Sequence, residues 1–124
     1  MRMNFENIFW PDSQLISIQI QYDHARLLIW SDVLQKQLRV DCYGLAGITN
    51  LCVWDDTIIV EAKIYPAHKA NTEFMRNLYM AYDEDADYGG RFLKNGMQEL
   101  RIELANGIAF SVYCQKIEVT ESNV

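Results

Sequence analysis

The run with most chemical potential in this chain is Asp83-Glu84-Asp85-Ala86-Asp87-Tyr88-Gly89-Gly90. Asp83, Asp85 and Asp87 alternate, and oxygen ligands spaced in that way can converge on one hard cation such as calcium. The helix–loop–helix form of that site also needs Gly at its sixth position and Glu at its twelfth, where this chain has Tyr88 and Lys94. The plainer reading is a solvated acidic loop. Acids at the exit of a helix face the negative end of its dipole. A cation or a basic partner docking at Asp83, Glu84, Asp85, Asp87 and Tyr88 would relieve that charge.

A second cluster, Trp54-Asp55-Asp56, follows an apolar run that begins at Leu51. A tryptophan beside a turn can anchor a partner, being a residue type enriched at interface hot spots, or it can pack across the end of a hairpin. Asp55 and Asp56 could in principle act as an acid–base pair. Adjacent carboxylates on a turn usually diverge, however, and turn formation explains them more simply.

Other constellations are weaker. The two histidines, His24 in a turn and His68 just after Pro66, are expected to be exposed, and no G-x-S-x-G elbow is present. A catalytic site here would have to be assembled from distant Asp, Tyr and His side chains. Cys42, Cys52 and Cys114 lie in apolar stretches and lack the two-to-four-residue spacing of a structural zinc site. They read as free, buried thiols of a reducing cytoplasm, because secreted disulfide scaffolds carry a denser, even set. Gly44-Leu45-Ala46-Gly47 lacks the Lys-Ser/Thr of a phosphate-binding loop and reads as a turn. No cofactor is implied.

The elements that must position these residues are mostly strands. At 124 residues the chain has the length of a single domain, 1–124, and half of it is hydrophobic. Its formal charge of −6 and the absence of adjacent basic residues argue against nucleic acid. The same charge favours encounter with a basic partner. The N-terminus lacks the apolar core of a signal peptide, and no apolar run approaches the ~20 residues of a membrane span. A cytoplasmic location is expected.

Ile16, Ile18, Ile20 and Tyr22 alternate with Ser17, Gln19 and Gln21, the pattern of a half-buried strand. Asp23-His24 reverses the chain, so that Ile20 faces Leu27 across a two-residue loop or Leu28 across a three-residue one. A third strand places Leu38, Val40 and Cys42 inward and Arg39 and Asp41 outward. Residues 48–54 and 57–65 form a hairpin across Asp55-Asp56, aligning Val53 with Ile58 and Leu51 with Val60. Phe74, Met75, Leu78, Tyr79 and Tyr82 fall on one stripe of an amphipathic helix near 72–82, with Asn71 as N-cap.

Leu100, Ile102 and Leu104 then alternate with Arg101 and Glu103. After Asn106-Gly107 come Ile108, Phe110, Val112 and Cys114, with Ile117 and Val119 extending the same strand. A two-residue Asn-Gly turn would put Glu103 opposite Phe110. A three-residue loop, Ala105-Asn106-Gly107, keeps the apolar faces together by pairing Leu104 with Ile108, and it requires a left-handed Gly107. The expected fold is α+β, predominantly antiparallel, with about seven strands in a curled sheet or small sandwich and one helix.

Phe9-Trp10-Pro11-Asp12, running into the strand at 15–22 and a return through Leu27-Leu28-Ile29, resembles the start of small bacterial immunity proteins of polymorphic toxin systems. Cys42-Tyr43-Gly44 followed by Trp54-Asp55-Asp56 is similar to related bacterial domains. The likeness covers the first half of the chain. Where that group often has a His-Asp pair after Trp-Pro, this chain has Asp12-Ser13-Gln14, and no functional residue is carried over. The resemblance implies a non-catalytic protein that neutralises a toxin by binding it. A calcium- or small-ligand-binding domain using residues 83–90 is the alternative, and a small enzyme comes third.

Overall fold

The computed structural model describes residues 2–50, 56–66 and 96–122. Among them run nine strands: β1 (Arg2–Met3), β2 (Gln14–Gln21), β3 (His24–Ser31), β4 (Lys36–Tyr43), β5 (Gly47–Thr49), β6 (Ile59–Pro66), β7 (Gln98–Leu104), β8 (Ala109–Cys114) and β9 (Lys116–Glu121). They form two antiparallel sheets, a five-stranded one in the order β1-β9-β4-β3-β2 and a four-stranded one in the order β5-β8-β7-β6. Leu27, Ile29, Leu38 and Val40 of the first join Leu100, Ile102, Phe110 and Val112 of the second in one apolar cluster. This burial, at about 25 cal/mol per Å² of apolar surface, is the main force holding the layers together.

Trp10 belongs to this core. It is buried, its Nε1–H donates to the Phe5 carbonyl at 3.1 Å, and its ring lies 4.8 Å from that of Phe5. The sheets are linked along one side by Leu15 N–H to Thr57 O and Ile59 N–H to Ser13 O. On the other side the chain passes between sheets at two corners, Gly44 and Gln115. There Gln115 N–H donates to Tyr43 O and Ala46 N–H to Tyr113 O.

Antiparallel β character and the inward faces of β4 and β7 agree with the sequence pattern. So does the loop after Leu104, where Ile102 pairs with Phe110, Leu104 N–H donates to Ile108 O, and Gly107 takes φ +86°. The helix expected near 72–82 lies outside the described residues.

Four expectations need correction. The first hairpin turns at Tyr22-Asp23, pairing Gln21 with His24, Ile20 with Ala25 and Ile18 with Leu27. Tyr22 accepts a left-handed φ of +48°, which closes the turn one residue early. The pairing also slips between Leu15 and Ser17, a bulge that sends Leu15 into the core and leaves Ile16 51% exposed. Ile20 and Tyr22, expected inside, are 48% and 99% exposed, because β2 ends its sheet among the described strands.

Of the hairpin expected across Asp55-Asp56, the partners Leu51 and Val53 lie outside the described residues, and the described parts of its two strands are not neighbours. β5 and β6 occupy opposite edges of the second sheet, and Ile58 bridges to Gln14. The last expected strand is two strands, β8 and β9, in different sheets. With β1, that split raises the count among the described residues from seven to nine.

Candidate functional site

The outer face of the five-stranded sheet follows from its register. One cross-strand row reads Gln19, Arg26, Asp41, Glu118; the next reads Gln21, His24, Tyr43, Lys116. Directly opposed side chains in such rows touch, so opposite charges pair. Asp41 faces outward as its strand alternation demands, yet it is only 2% exposed. Three neighbours cover it. His24 Nε2–H and Arg26 Nε–H both donate to Oδ1 at 2.8 Å, and Arg39 Nε lies 3.2 Å from Oδ2.

Burial alone would raise the Asp41 pKa, since a desolvated carboxylate is disfavoured. Hydrogen bonds from Arg26 and His24, with the charges of Arg26 and Arg39, outweigh that effect and hold the carboxyl below its ordinary value of 3.8. The His24 ring also stacks on Tyr43 with centroids 4.9 Å apart. Next along the row, Glu118 takes Arg2 at 2.6 Å and Lys116 at 2.9 Å. Arg2, Arg26, Arg39 and Lys116 therefore face Asp41 and Glu118, so this surface is cationic on a chain of net charge −6.

A second buried acid, Glu99, lies on the outer face of the four-stranded sheet. Its Oε2 accepts from Arg101 Nε at 3.0 Å, Arg101 Nη2 at 2.9 Å and Ser111 Oγ at 2.6 Å. Arg101 stacks over Tyr65 at 4.5 Å. Burial and the Glu99 charge push the neighbouring Tyr113 hydroxyl up to about 12. Glu99 and Tyr113 are each 1% exposed and so are shut off from solvent. His24, Arg26 and Arg39 stay within reach of it. Arg101 is 42% exposed, so each buried acid presents a reachable partner. The Asp41 cluster presents three, His24, Arg26 and Arg39, against one, and is the better candidate for a working surface.

An acid holding an imidazole in one tautomer is the geometry of a general base and its orienting group. Here the same carboxylate oxygen is shared with Arg26. Among the described residues no hydroxyl or thiol is hydrogen-bonded to His24. The arrangement is therefore better suited to presenting donors than to activating a nucleophile. A cleft of about 540 Å³ lies elsewhere, between Phe5, Ile64, Met97 and Ile117. Among the described residues its ionisable lining is Glu6 alone.

Of the residues singled out from sequence, Trp54, Asp55, Asp83, Glu84, Asp85, Asp87 and Tyr88 lie outside the described residues. Asp56 is described, and its Oδ1 accepts from Ile58 N–H at 2.9 Å, the turn-forming bond its position suggested. It takes no part in the Asp41 cluster. Among the described residues no group of His, Cys, Asp and Glu is arranged to hold a metal ion. His24, expected exposed in a turn, instead opens β3 and is partly buried against Asp41. Sequence reasoning passed over Arg26, Arg39, Asp41 and Tyr43 as sites. The usable signal was opposite charge on the outward positions of two successive strands.

Comparison with known proteins returns no matching family model, no matching curated protein and no matching solved structure. Among the described residues no helix is long and apolar enough to cross a membrane.

Proposed function

We propose that the chain is a non-catalytic protein-binding domain whose working surface includes the outer face of the five-stranded sheet, with toxin neutralisation as its most specific form. One observation carries this reading. Buried Asp41 holds His24 and Arg26 by hydrogen bonds, and pairs with the charge of Arg39, on a face that solvent can reach. Arginine loses much side-chain freedom when it is immobilised by a partner. Ordering it beforehand lowers that loss and favours binding. Exposed Tyr22 and Tyr43 stand beside the array, and tyrosine and arginine are the residue types over-represented among interface hot spots.

The test uses the described lysines as reporters. Lys116 lies on this face and Lys63 on the other sheet. The intact chain is cross-linked through amines in its source cells and the adducts are mapped. A partner joined at Lys116, and lost from the Arg39→Glu chain, supports the proposal. Binding that is indifferent to Arg39→Glu and Tyr22→Ala, or adducts at Lys63 alone, would sink it. If the partner is encoded beside this gene and stops growth, co-expression of the wild-type chain restores growth and the Arg39→Glu chain does not.

A further inference from the structure

The recess next to His24 and Arg26 has its own chemistry. Gln19 and Gln21 on β2 stand opposite Arg26 and His24 on β3. These four side chains line a cleft of about 90 Å³, the share of liquid volume taken by about three waters. That is room for one carboxylate or phosphate group. Among the described residues no carboxylate lines the cleft. Asp41, next in the row beyond Arg26 and outside the cleft lining, is engaged at Oδ1 by His24 and Arg26 and paired at Oδ2 with Arg39.

The donor count favours an anion. A guanidinium carries five N–H donors, and among the described residues Arg26 commits only its Nε to Asp41. Each glutamine amide adds two donors. Asp41 carries one negative charge against two guanidinium groups, so the cluster keeps a positive surplus beside a lining of neutral amides. The bond to Asp41 also fixes the plane of the Arg26 fork, which suits bidentate contact with a carboxylate or phosphate.

We infer that this recess is an oxyanion site, taking one carboxylate or phosphate group through Arg26 and the amides of Gln19 and Gln21, with Asp41 as the positioning residue. The inference rests on the outer face of this sheet being the working surface, and it names the chemistry of what docks there: an acidic or phosphate-bearing group. The test needs no partner, so its failure is separable from failure of the cross-linking experiment.

The intact chain, labelled with ¹⁵N, is titrated separately with sodium acetate and sodium phosphate, ionic strength being held constant with sodium chloride. The signals followed are Arg26 Nε–H and the side-chain amides of Gln19 and Gln21. Saturable shifts centred on these groups, with a Kd of about 1–10 mM for an isolated group, are expected. Saturation by both anions assigns a general oxyanion site, and saturation by one assigns that group.

Gln21→Glu adds a carboxylate to the lining at an exposed position and weakens binding about tenfold or more. Arg26→Lys keeps the charge, loses the fork and weakens binding severalfold. Lys63→Gln on the other sheet changes nothing. An unchanged spectrum outside the recess confirms that each variant is folded. Shifts that merely track sodium chloride, or binding that Gln21→Glu leaves intact, would overturn the site.

Discussion

Gly44 lies so close to Gln115 that a Cβ at position 44 would meet Gln115 Oε1 at 2.5 Å and Gln115 Cβ at 2.9 Å. These two residues are the corners at which the chain crosses between sheets, the first leading out of β4 and the second into β9. Gly44 also takes φ +65°, a region in which a side chain is strained. Gly44→Ala is therefore expected to destabilise the protein by about 1–3 kcal/mol, read as a lower urea midpoint with an unchanged slope. Combining it with Gln115→Ala removes the contact with the side-chain end but leaves the backbone strain. The double variant should recover only part of the loss, and full recovery would refute the strain.

The Asp41 cluster makes stability depend on acid. Its carboxyl is held below the ordinary 3.8 in the folded protein. The unfolded chain therefore binds its proton first as pH falls, and the stabilisation is present above about pH 4 and lost below it. Asp41→Asn should flatten this part of the pH–stability curve. Its cost at neutral pH is about 1–3 kcal/mol, less than for a wholly buried pair, since the arginines can turn to water. Parallel acid-unfolding curves for the variant and the wild type would show that Asp41 is not the titrating group.

The legible parts of this fold are those where one rule suffices. Alternation placed Leu38, Val40, Cys42, Leu100, Ile102 and Leu104 in the core, where all are buried. Facing apolar rows overrode the Asn106-Gly107 signal and gave the observed loop. Errors arose where two rules met. At Ile16 a bulge and an outermost strand together reversed the alternation. At Gln115 the inward positions change phase, from Phe110, Val112 and Cys114 to Ile117 and Val119, and that slip marks the corner where one strand becomes two. The Asp41 cluster stayed hidden because it depends on the four-residue loop 32–35, which sets Ser31 against Lys36 and so Arg26 against Asp41. Without that loop length, no pairing of those charges follows from sequence.

Alkali acts on the other sheet. Tyr113 is pushed from its ordinary 10.0 up to about 12 by burial and by Glu99. A raised pKa favours the protonated folded form. The stabilisation is complete below about pH 10 and disappears as pH rises towards 12, amounting to about 3 kcal/mol. Tyr113→Phe should lose that dependence, since it has no proton to release. A spectrophotometric titration in which the Tyr113 phenolate forms near pH 10 without unfolding would contradict this.

The thiols of Cys42 and Cys114 should be inert. Both are free and buried, one on β4 and the other on β8 of the facing sheet. The hydrogen bond that the Cys42 thiol donates to the Cys114 sulfur, burial, and then the charges of Cys114 and Asp41 all raise the Cys42 pKa, so its reactive thiolate is suppressed. In a Cys52→Ser background, a thiol-specific reagent at pH 8 should label neither cysteine in the native protein and both in urea. The labelling rate should follow the opening equilibrium, so Gly44→Ala, which weakens a corner shared by the same strands, should raise it in proportion to its loss of stability. Rapid native labelling at Cys42 would place that thiol at the surface and contradict a core in which β4 meets β8.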